Sequence, residues 1–137
     1  MNITSIVTDN VTELLFKIIE FTKARQKVLT RNINDIHTAN FTPKDLDVEE
    51  FSDVLNGAIS EHISNGRLLL YDTKTVKFGA DGSFNIEPIT DRKAQRLLEN
   101  NKDQYIELQI NKLLENSLNQ RIAAELLKQK QQADSLY

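Results

Sequence analysis

The chain lacks several residue types that particular kinds of function require. It has no cysteine, which excludes a disulfide framework, a thiolate zinc site and a cysteine nucleophile. With only His37 and His62, there is almost no material for a histidine-based metal site. Four glycines and two prolines are too few for a sandwich or barrel that needs many tight turns. No apolar run approaches the ~18 residues that a membrane span needs.

Charge is distributed unevenly along the chain, although the net charge is only −3. Residues 42–90 carry four Lys and Arg against nine Asp and Glu, whereas the segments on either side each carry a net charge of +1. No basic face stands out, so we do not expect nucleic acid as a partner. Lys17 and Glu20 interrupt the one apolar stretch near the N-terminus, so a cleaved secretory signal is not expected.

Hydrophobic periodicity predicts long amphipathic helices at both ends of the chain. Residues 1–10 are polar and are expected to form a frayed or partner-dependent end. From Val11 to about Ala39, apolar residues recur at steps of three and four and form a broad apolar face. Thr42-Pro43 is expected to stop this helix, because the residue before a proline is pushed out of the helical region. The helical period returns at Thr90 and continues to about Gln132, with a break predicted at Asn100-Asn101.

The middle of the chain has a different pattern. Asp47 stands three residues before Glu50, which is the spacing of a helix N-cap followed by a glutamate, and Asn65-Gly66 is a suitable C-terminal stop. Val76–Phe78 and Phe84–Ile86 flank a turn-rich segment, which predicts a strand, a turn and a strand. Residues 68–71 are either a further strand or an extended arm. The helix between the two caps is expected to bury Val48, Phe51, Val54, Leu55, Ala58, Ile59 and Ile63.

These patterns predict a mainly α fold in three parts: an N-terminal helix (1–41), an acidic middle segment with a short helix and a hairpin (42–90), and a C-terminal helix (91–137). The two long helices are expected to pack as an antiparallel, coiled-coil-like pair. Two helices cover only one stripe of each other, and the predicted stripes are wider than that. We therefore expect neighbouring copies in a polymer to cover the rest, with a small monomeric bundle as the alternative.

Two polar residues lie on the apolar stripe of the first helix. Arg25 and Asn32 are seven residues apart on its centre line. Polar residues at such positions reduce stability but fix register and partner choice. If the true contact line is rotated, both residues face solvent instead.

A cluster of carboxylates surrounds the start of the second predicted helix. Glu50 and Asp53 are three residues apart on one helix face and could bind a divalent ion, but capping and a solvated helix face explain the cluster better. Both histidines are interpreted as surface or helix-end residues. We therefore predict no catalytic, cofactor or metal site. The cluster comprises Asp45, Asp47, Glu49, Glu50 and Asp53.

Residues 24–41 resemble the N-terminal signature of bacterial flagellar rod and hook proteins, which reads approximately A-R-Q-x-V-L-A-S-N-I-A-N-A-x-T-P-G-Y. Ala39 and Asn40 stand where that family has proline and glycine, and Phe41 stands where it has tyrosine. Glycine and asparagine both tolerate a left-handed backbone. The matching residues are Arg25, Gln26, Val28, Leu29, Asn32, Ile33 and Thr38.

Two further segments are similar to the proximal rod members of the flagellar basal body rod protein family. Residues 44–48 resemble a basic-D-I-D-F segment. Residues 115–120 resemble the (D/E)-N-S-L-x-Y motif near the C-terminus, with Gln120 in place of tyrosine. The resemblance thus covers both ends of the chain and leaves the middle unassigned.

The resemblance implies a structural subunit of the proximal rod, a helical tube that transmits torque and continues the export channel. It implies contacts with other copies, neighbouring rod proteins, the rod-to-membrane-ring adaptor and the flagellar export gate. It also implies a place in the periplasmic rod after export without a cleaved signal, with no enzymatic activity, cofactor or small-molecule substrate. The expected subunit-interface residues are Leu15, Ile18, Arg25, Leu29, Asn32, Ile33, Ile36, Ile110, Leu114, Asn116, Leu118 and Ile122.

Two other kinds of function compete with this interpretation. One is a soluble helical interaction module, such as an adaptor or an export chaperone. The other is a small enzyme that uses the acidic cluster. A rod subunit on its own is expected to have unstructured ends, because its apolar stripes need neighbours, whereas an adaptor is expected to be a stable helical monomer or dimer.

Overall fold

The computed structural model describes residues 3–79 and 84–134. Within them the chain is mainly helical with a small amount of sheet, as the sequence predicts. The two small sheets are both antiparallel and pair β1 with β4 and β2 with β3. In chain order the elements are α1 (Ile3–Asn34), β1 (Lys44–Asp45), α2 (Val48–Asn65), β2 (Val76–Phe78), β3 (Phe84–Ile86), β4 (Ile89–Thr90), α3 (Arg92–Asn100) and α4 (Lys102–Asp134).

Helix α1 differs from the prediction at both ends. It begins at Ile3, so residues 3–10 are helical rather than frayed, and it ends at Asn34 rather than near Ala39. The chain then turns, with Asn40 at φ 61, and returns along the end of the helix. The Asn32 side chain holds this return, because it donates to the Lys44 carbonyl at 2.7 Å and accepts from the Lys44 amide at 3.1 Å.

Helix α2 begins and ends where its sequence signals predict. The Asp47 carboxylate accepts a hydrogen bond from the Glu50 amide at 3.0 Å, as an N-cap does. At the other end Gly66 adopts φ 68, in the left-handed region that glycine tolerates best. Both cap predictions are confirmed.

The burial of α2 follows the prediction only in part. Phe51, Val54 and Ala58 are buried, whereas Ile59 is 44% exposed and Ile63 is 77% exposed. The prediction is wrong for these two isoleucines, because they lie on a flank of α2 that no other described element covers.

An aromatic core joins α1, α2 and the β2–β3 hairpin. The rings of Phe21 and Phe51 stack with their centroids 4.0 Å apart, and Phe84 contacts this pair from the hairpin, 5.9 Å from Phe51. The predicted hairpin is present, with Val76 opposite Ile86. Residues 80–83 of its predicted turn lie outside the described residues. Residues 68–71 form no strand, which matches the predicted extended arm.

The C-terminal part breaks into two helices where the sequence predicts. Asp91 caps α3 by accepting from the Ala94 amide at 3.0 Å, and Asn101 separates α3 from α4 and accepts from the Gln104 amide at 3.1 Å. The Asp91 amide also donates to the Pro43 carbonyl at 3.0 Å, next to the β1–β4 pair. The start of β1 and the start of α3 therefore lie side by side, between α1 and α4.

Candidate functional site

The face of α4 that packs against α1 is polar. Tyr105, Gln109 and Asn116 are buried on this face, together with Ala123. The sequence pattern predicts one apolar face on the C-terminal helix, part of it packed in the helix pair and the rest covered by neighbouring copies. In the structure the polar residues point to α1, and most of the large apolar ones do not.

One end of the α1–α4 contact is organised around Asn32, which is almost completely buried. Besides its two bonds to the Lys44 backbone, its amide donates to the Gln109 side-chain oxygen at 2.9 Å. The Tyr105 hydroxyl donates to the Asn32 carbonyl at 2.5 Å. Burial and the nearby Asp91 charge raise the pKa of Tyr105 to about 12, so this hydroxyl keeps its proton. These bonds hold α1, α4 and the return loop in one register.

A buried cluster of four charges lies in the middle of the contact. The Arg25 guanidinium donates two hydrogen bonds, of 2.9 and 3.0 Å, to the Asp45 carboxylate. Lys112 of α4 donates to Asp45 at 2.9 Å and to Asp91 at 2.6 Å. Two cations and two carboxylates therefore balance, and they tie α1, β1, the α3 cap and α4 together.

The partners in this cluster keep each other ionised. Burial opposes the charge on Asp45, but its hydrogen bonds and attraction to Arg25 and Lys112 outweigh burial and hold its pKa below the usual value. Burial likewise opposes the charge on Lys112, but the bonds to Asp91 and Asp45 outweigh it and raise the pKa of the lysine. Removing Asp45 would leave the buried Arg25 guanidinium without its carboxylate partner, which is strongly destabilising.

A third contact extends the polar interface along the helices. The Asn116 side chain donates to the Thr22 carbonyl of α1 at 2.7 Å. Gln109 Nε2 is the one buried side-chain atom of the interface without a hydrogen-bond partner among the described residues. We call the whole interface the polar seam; it comprises Thr22, Arg25, Asn32, Asp45, Asp91, Tyr105, Gln109, Lys112 and Asn116.

The side of α4 away from the polar seam carries a row of large apolar side chains. They recur at every fourth position, and each is between 45% and 65% exposed. A residue four positions along a helix lies one turn further on and about 40° around the helix axis, so the side chains follow one another along the helix and wind gradually around it. We call this set the outer row; it comprises Ile110, Leu114, Leu118, Ile122 and Leu126.

The predicted interface residues differ in how much of each side chain is exposed. Some are buried within the chain, some are half-buried, and some are exposed. Buried within the chain are Leu15, Arg25, Leu29, Asn32 and Asn116, while Ile18, Ile33 and Ile36 are half-buried and Ile110, Leu114, Leu118 and Ile122 are exposed.

The predicted acidic cluster is dispersed by the fold. Asp45 belongs to the polar seam, Asp47 caps α2, and Glu50 accepts from the Thr75 amide at 3.1 Å. Glu49 and Asp53 are exposed on α2. Among the described residues, no group of three or more carboxylates, histidines or cysteines is placed to hold a metal ion.

Sequence reasoning missed the role of Asp45 as an ion-pair partner, and it did not single out Asp91, Tyr105, Gln109 or Lys112. The available signal was Arg25 itself, because a buried guanidinium requires a carboxylate. Lys112 gave a weaker signal as a lone cation within the apolar stretch of the C-terminal helix. Neither signal says which carboxylate or which lysine is the partner.

Comparison of the chain with models of protein families, with curated proteins and with solved structures gave no match. In the described part of the chain, no helix combines the length and the hydrophobicity needed to cross a bilayer. Fold and site together define a mainly helical chain whose long helices meet through polar contacts and expose an apolar row.

Proposed function

We propose that this chain is a structural, non-enzymatic subunit of the bacterial flagellar basal body rod, most similar to the proximal rod proteins. The observation that carries the proposal is the outer row of α4, which lies exposed on the side opposite a polar seam. A monomeric helical protein gains stability by burying such residues, because each Å² of buried apolar surface contributes about 25 cal/mol to the free energy of folding. Exposed apolar surfaces of this extent mark sites of protein interaction.

The three segments that carry the family resemblance support the proposal by meeting in one place. Arg25 and Asn32 come from residues 24–41, Asp45 from residues 44–48, and Asn116 from residues 115–120. All four are members of the polar seam. The motif residues thus act together as one structural unit that joins both ends of the chain.

The backbone at Asn40 agrees with the same resemblance. This residue stands where the family motif has glycine, and its φ of 61 lies in the left-handed region. Glycine and asparagine are the residues that adopt this conformation most readily. The substitution therefore preserves the turn that the glycine would make.

We further propose that α1 and α4 act as an antiparallel pair that forms the core of the rod. Asn32, near the end of α1, meets Tyr105 and Gln109 near the start of α4. Thr22, earlier in α1, meets Asn116, later in α4. The partners in this proposal are other copies, neighbouring rod proteins, the rod-to-membrane-ring adaptor and the export gate, and the place of action is the periplasmic rod.

The proposal is tested in a flagellated strain that carries the chain with a charge on the outer row. Leu114→Asp and Leu118→Asp are expected to abolish swimming and to remove the chain from isolated basal bodies, because a buried unpaired carboxylate prevents close contact. Ser60→Asp, on an exposed position of α2, serves as the control and should swim normally. Circular dichroism of each purified variant should show unchanged helix content.

Two results would contradict the proposal. If the aspartate variants are incorporated and swim like the parent strain, the outer row is not an assembly surface. If the unmodified chain is absent from basal bodies and stays in the cytoplasm while the variants still abolish swimming, the chain is an adaptor or an export chaperone.

A further inference from the structure

An open apolar groove of about 240 Å³ runs along the molecule between α2 and α4, with α1 as its floor. Leu15 and Ile18 of α1 form the floor, and Leu55 lies on the α2 wall. The α4 wall is formed by Ile122 and Leu126, the last two members of the outer row. The groove is therefore bounded by three helices and has room for side chains from a fourth.

The groove favours an apolar occupant over a charged one. Arg25 is the one charged residue among those that line it, and it is already bonded to Asp45. The polar lining residues Ser52 and Asn119 are uncharged. An apolar helix that binds here would not bury an unpaired charge. Burial of an unpaired charge is strongly unfavourable.

The same chain carries an exposed apolar helix face that matches the groove in character. Ile110, Leu114 and Leu118, the first three members of the outer row, are not among the residues that line the groove and are exposed. They span nine residues of one helix, or about 12 Å at ~1.5 Å of rise for each step. An apolar helix face that fits an apolar groove is a common form of recognition between proteins.

The row and the groove of one chain cannot meet each other. Both belong to α4, which contributes a groove wall through Ile122 and Leu126 and presents Ile110, Leu114 and Leu118 further along the same rigid helix. We propose that the outer-row residues Ile110, Leu114 and Leu118 of one copy dock in the α1–α2–α4 groove of a second copy. The inference rests on the proposed function and deepens it by naming the two surfaces that join.

This contact has a defined consequence for assembly. The two surfaces are different, so after two copies bind, one keeps a free groove and the other keeps a free row, and the contact propagates in one direction. Three apolar side chains bury less than the ~1,000 Å² of total surface that a stable interface needs. Binding should therefore be weak for one pair and should strengthen as further copies add contacts.

Paired cysteines test this contact directly, because the chain has no cysteine of its own. The purified full-length variant Ser52→Cys/Leu114→Cys is concentrated and oxidised mildly with oxidised glutathione. Ser52 lies in the groove and Leu114 in the row, so the expected product is a ladder of disulfide-linked dimers, trimers and longer species. The matched control is Ser60→Cys/Leu114→Cys, since Ser60 is exposed on α2 but does not line the groove.

We expect roughly tenfold more ladder from the Ser52 variant than from the control, because cysteines form a bridge only when their Cα atoms come within ~7 Å. Equal yields, or no ladder from either variant, would overturn the inference. Leu114→Cys alone should give almost no dimer; a strong dimer would mean that α4 pairs with α4, which also overturns it. Incorporation of the unmodified chain into basal bodies is measured separately, so failure of this contact is distinguishable from failure of the rod assignment.

Discussion

On α4 a polar side is buried and an apolar side is exposed, which is the reverse of the usual arrangement. The side that faces α1 carries Tyr105, Gln109, Lys112 and Asn116, and the opposite side carries the outer row. In a monomeric helical bundle the apolar side would face inward. The inner side joins the helices through matched polar partners, and the outer side is the surface that the proposed function assigns to other molecules.

The inner side should respond most strongly to loss of a charge. Asp45→Ala leaves Arg25 and Lys112 buried without their shared carboxylate, and we expect the free energy of unfolding to fall by about 3–5 kcal/mol. Urea unfolding followed by circular dichroism measures this change. Asp53→Ala, which removes an exposed carboxylate from α2, is the matched control and should change stability by no more than ~0.5 kcal/mol. Equal effects of the two variants would mean that the charge cluster is solvated.

A second pair of variants compares the same substitution at a site packed within the chain and on the outer side of α4. Leu29 is fully buried within the chain, and Leu118 is 56% exposed. Leu29→Ala should lower the free energy of unfolding by about 2–5 kcal/mol through loss of packing. Leu118→Ala should change it by no more than ~0.5 kcal/mol. A large loss from Leu118→Ala in the monomer would show that the outer row is packed within the chain.

The dependence of stability on pH should distinguish the groups of the polar seam. Folding lowers the pKa of Asp45 from 3.8, so its contribution is present above that pH and is lost as the pH falls through the folded value. Folding raises the pKa of Lys112 from 10.5 and that of Tyr105 from 10.0 to about 12, so their contributions are lost as the pH rises.

We therefore expect a stability plateau between about pH 4 and pH 10, with a decline on each side. Urea unfolding at a series of pH values measures both declines. Asp45→Asn should flatten the acid decline and also weaken the part of the alkaline decline that comes from Lys112, because Asp45 helps to raise the pKa of that lysine. Tyr105→Phe should weaken the alkaline decline alone. If Asp45→Asn leaves the acid limb unchanged, or Tyr105→Phe changes it, the assignment of the limbs to these residues is wrong.

Local features of the fold were predictable from the sequence. Asp47 and Gly66 bound α2 because cap chemistry depends on residues a few positions away, and the break at Asn101 has the same origin. The hairpin follows from a short alternation of residue types on either side of a turn. Each of these signals lies within a few residues of the feature that it determines.

The orientation of α4 was not predictable in this way. The periodicity of its leucines and isoleucines indicates an apolar side but not which part of that side faces α1 and which part faces away from it. The actual choice depends on pairings across the chain, such as Arg25 with Asp45, 20 residues apart, and Lys112 with Asp45, 67 residues apart. Arg25 and Asn32 were noticed because they interrupt an apolar stripe, yet their partners could not be named from spacing.

The charge cluster of the polar seam also limits how the sequence can drift over evolutionary time. Arg25, Asp45, Asp91 and Lys112 form one balanced set, so a change at one position is tolerated only with a compensating change at another. These positions should covary in related chains or stay together as a group. The outer row has no such coupling, because any large apolar residue preserves its character, and its members should exchange leucine, isoleucine and methionine independently.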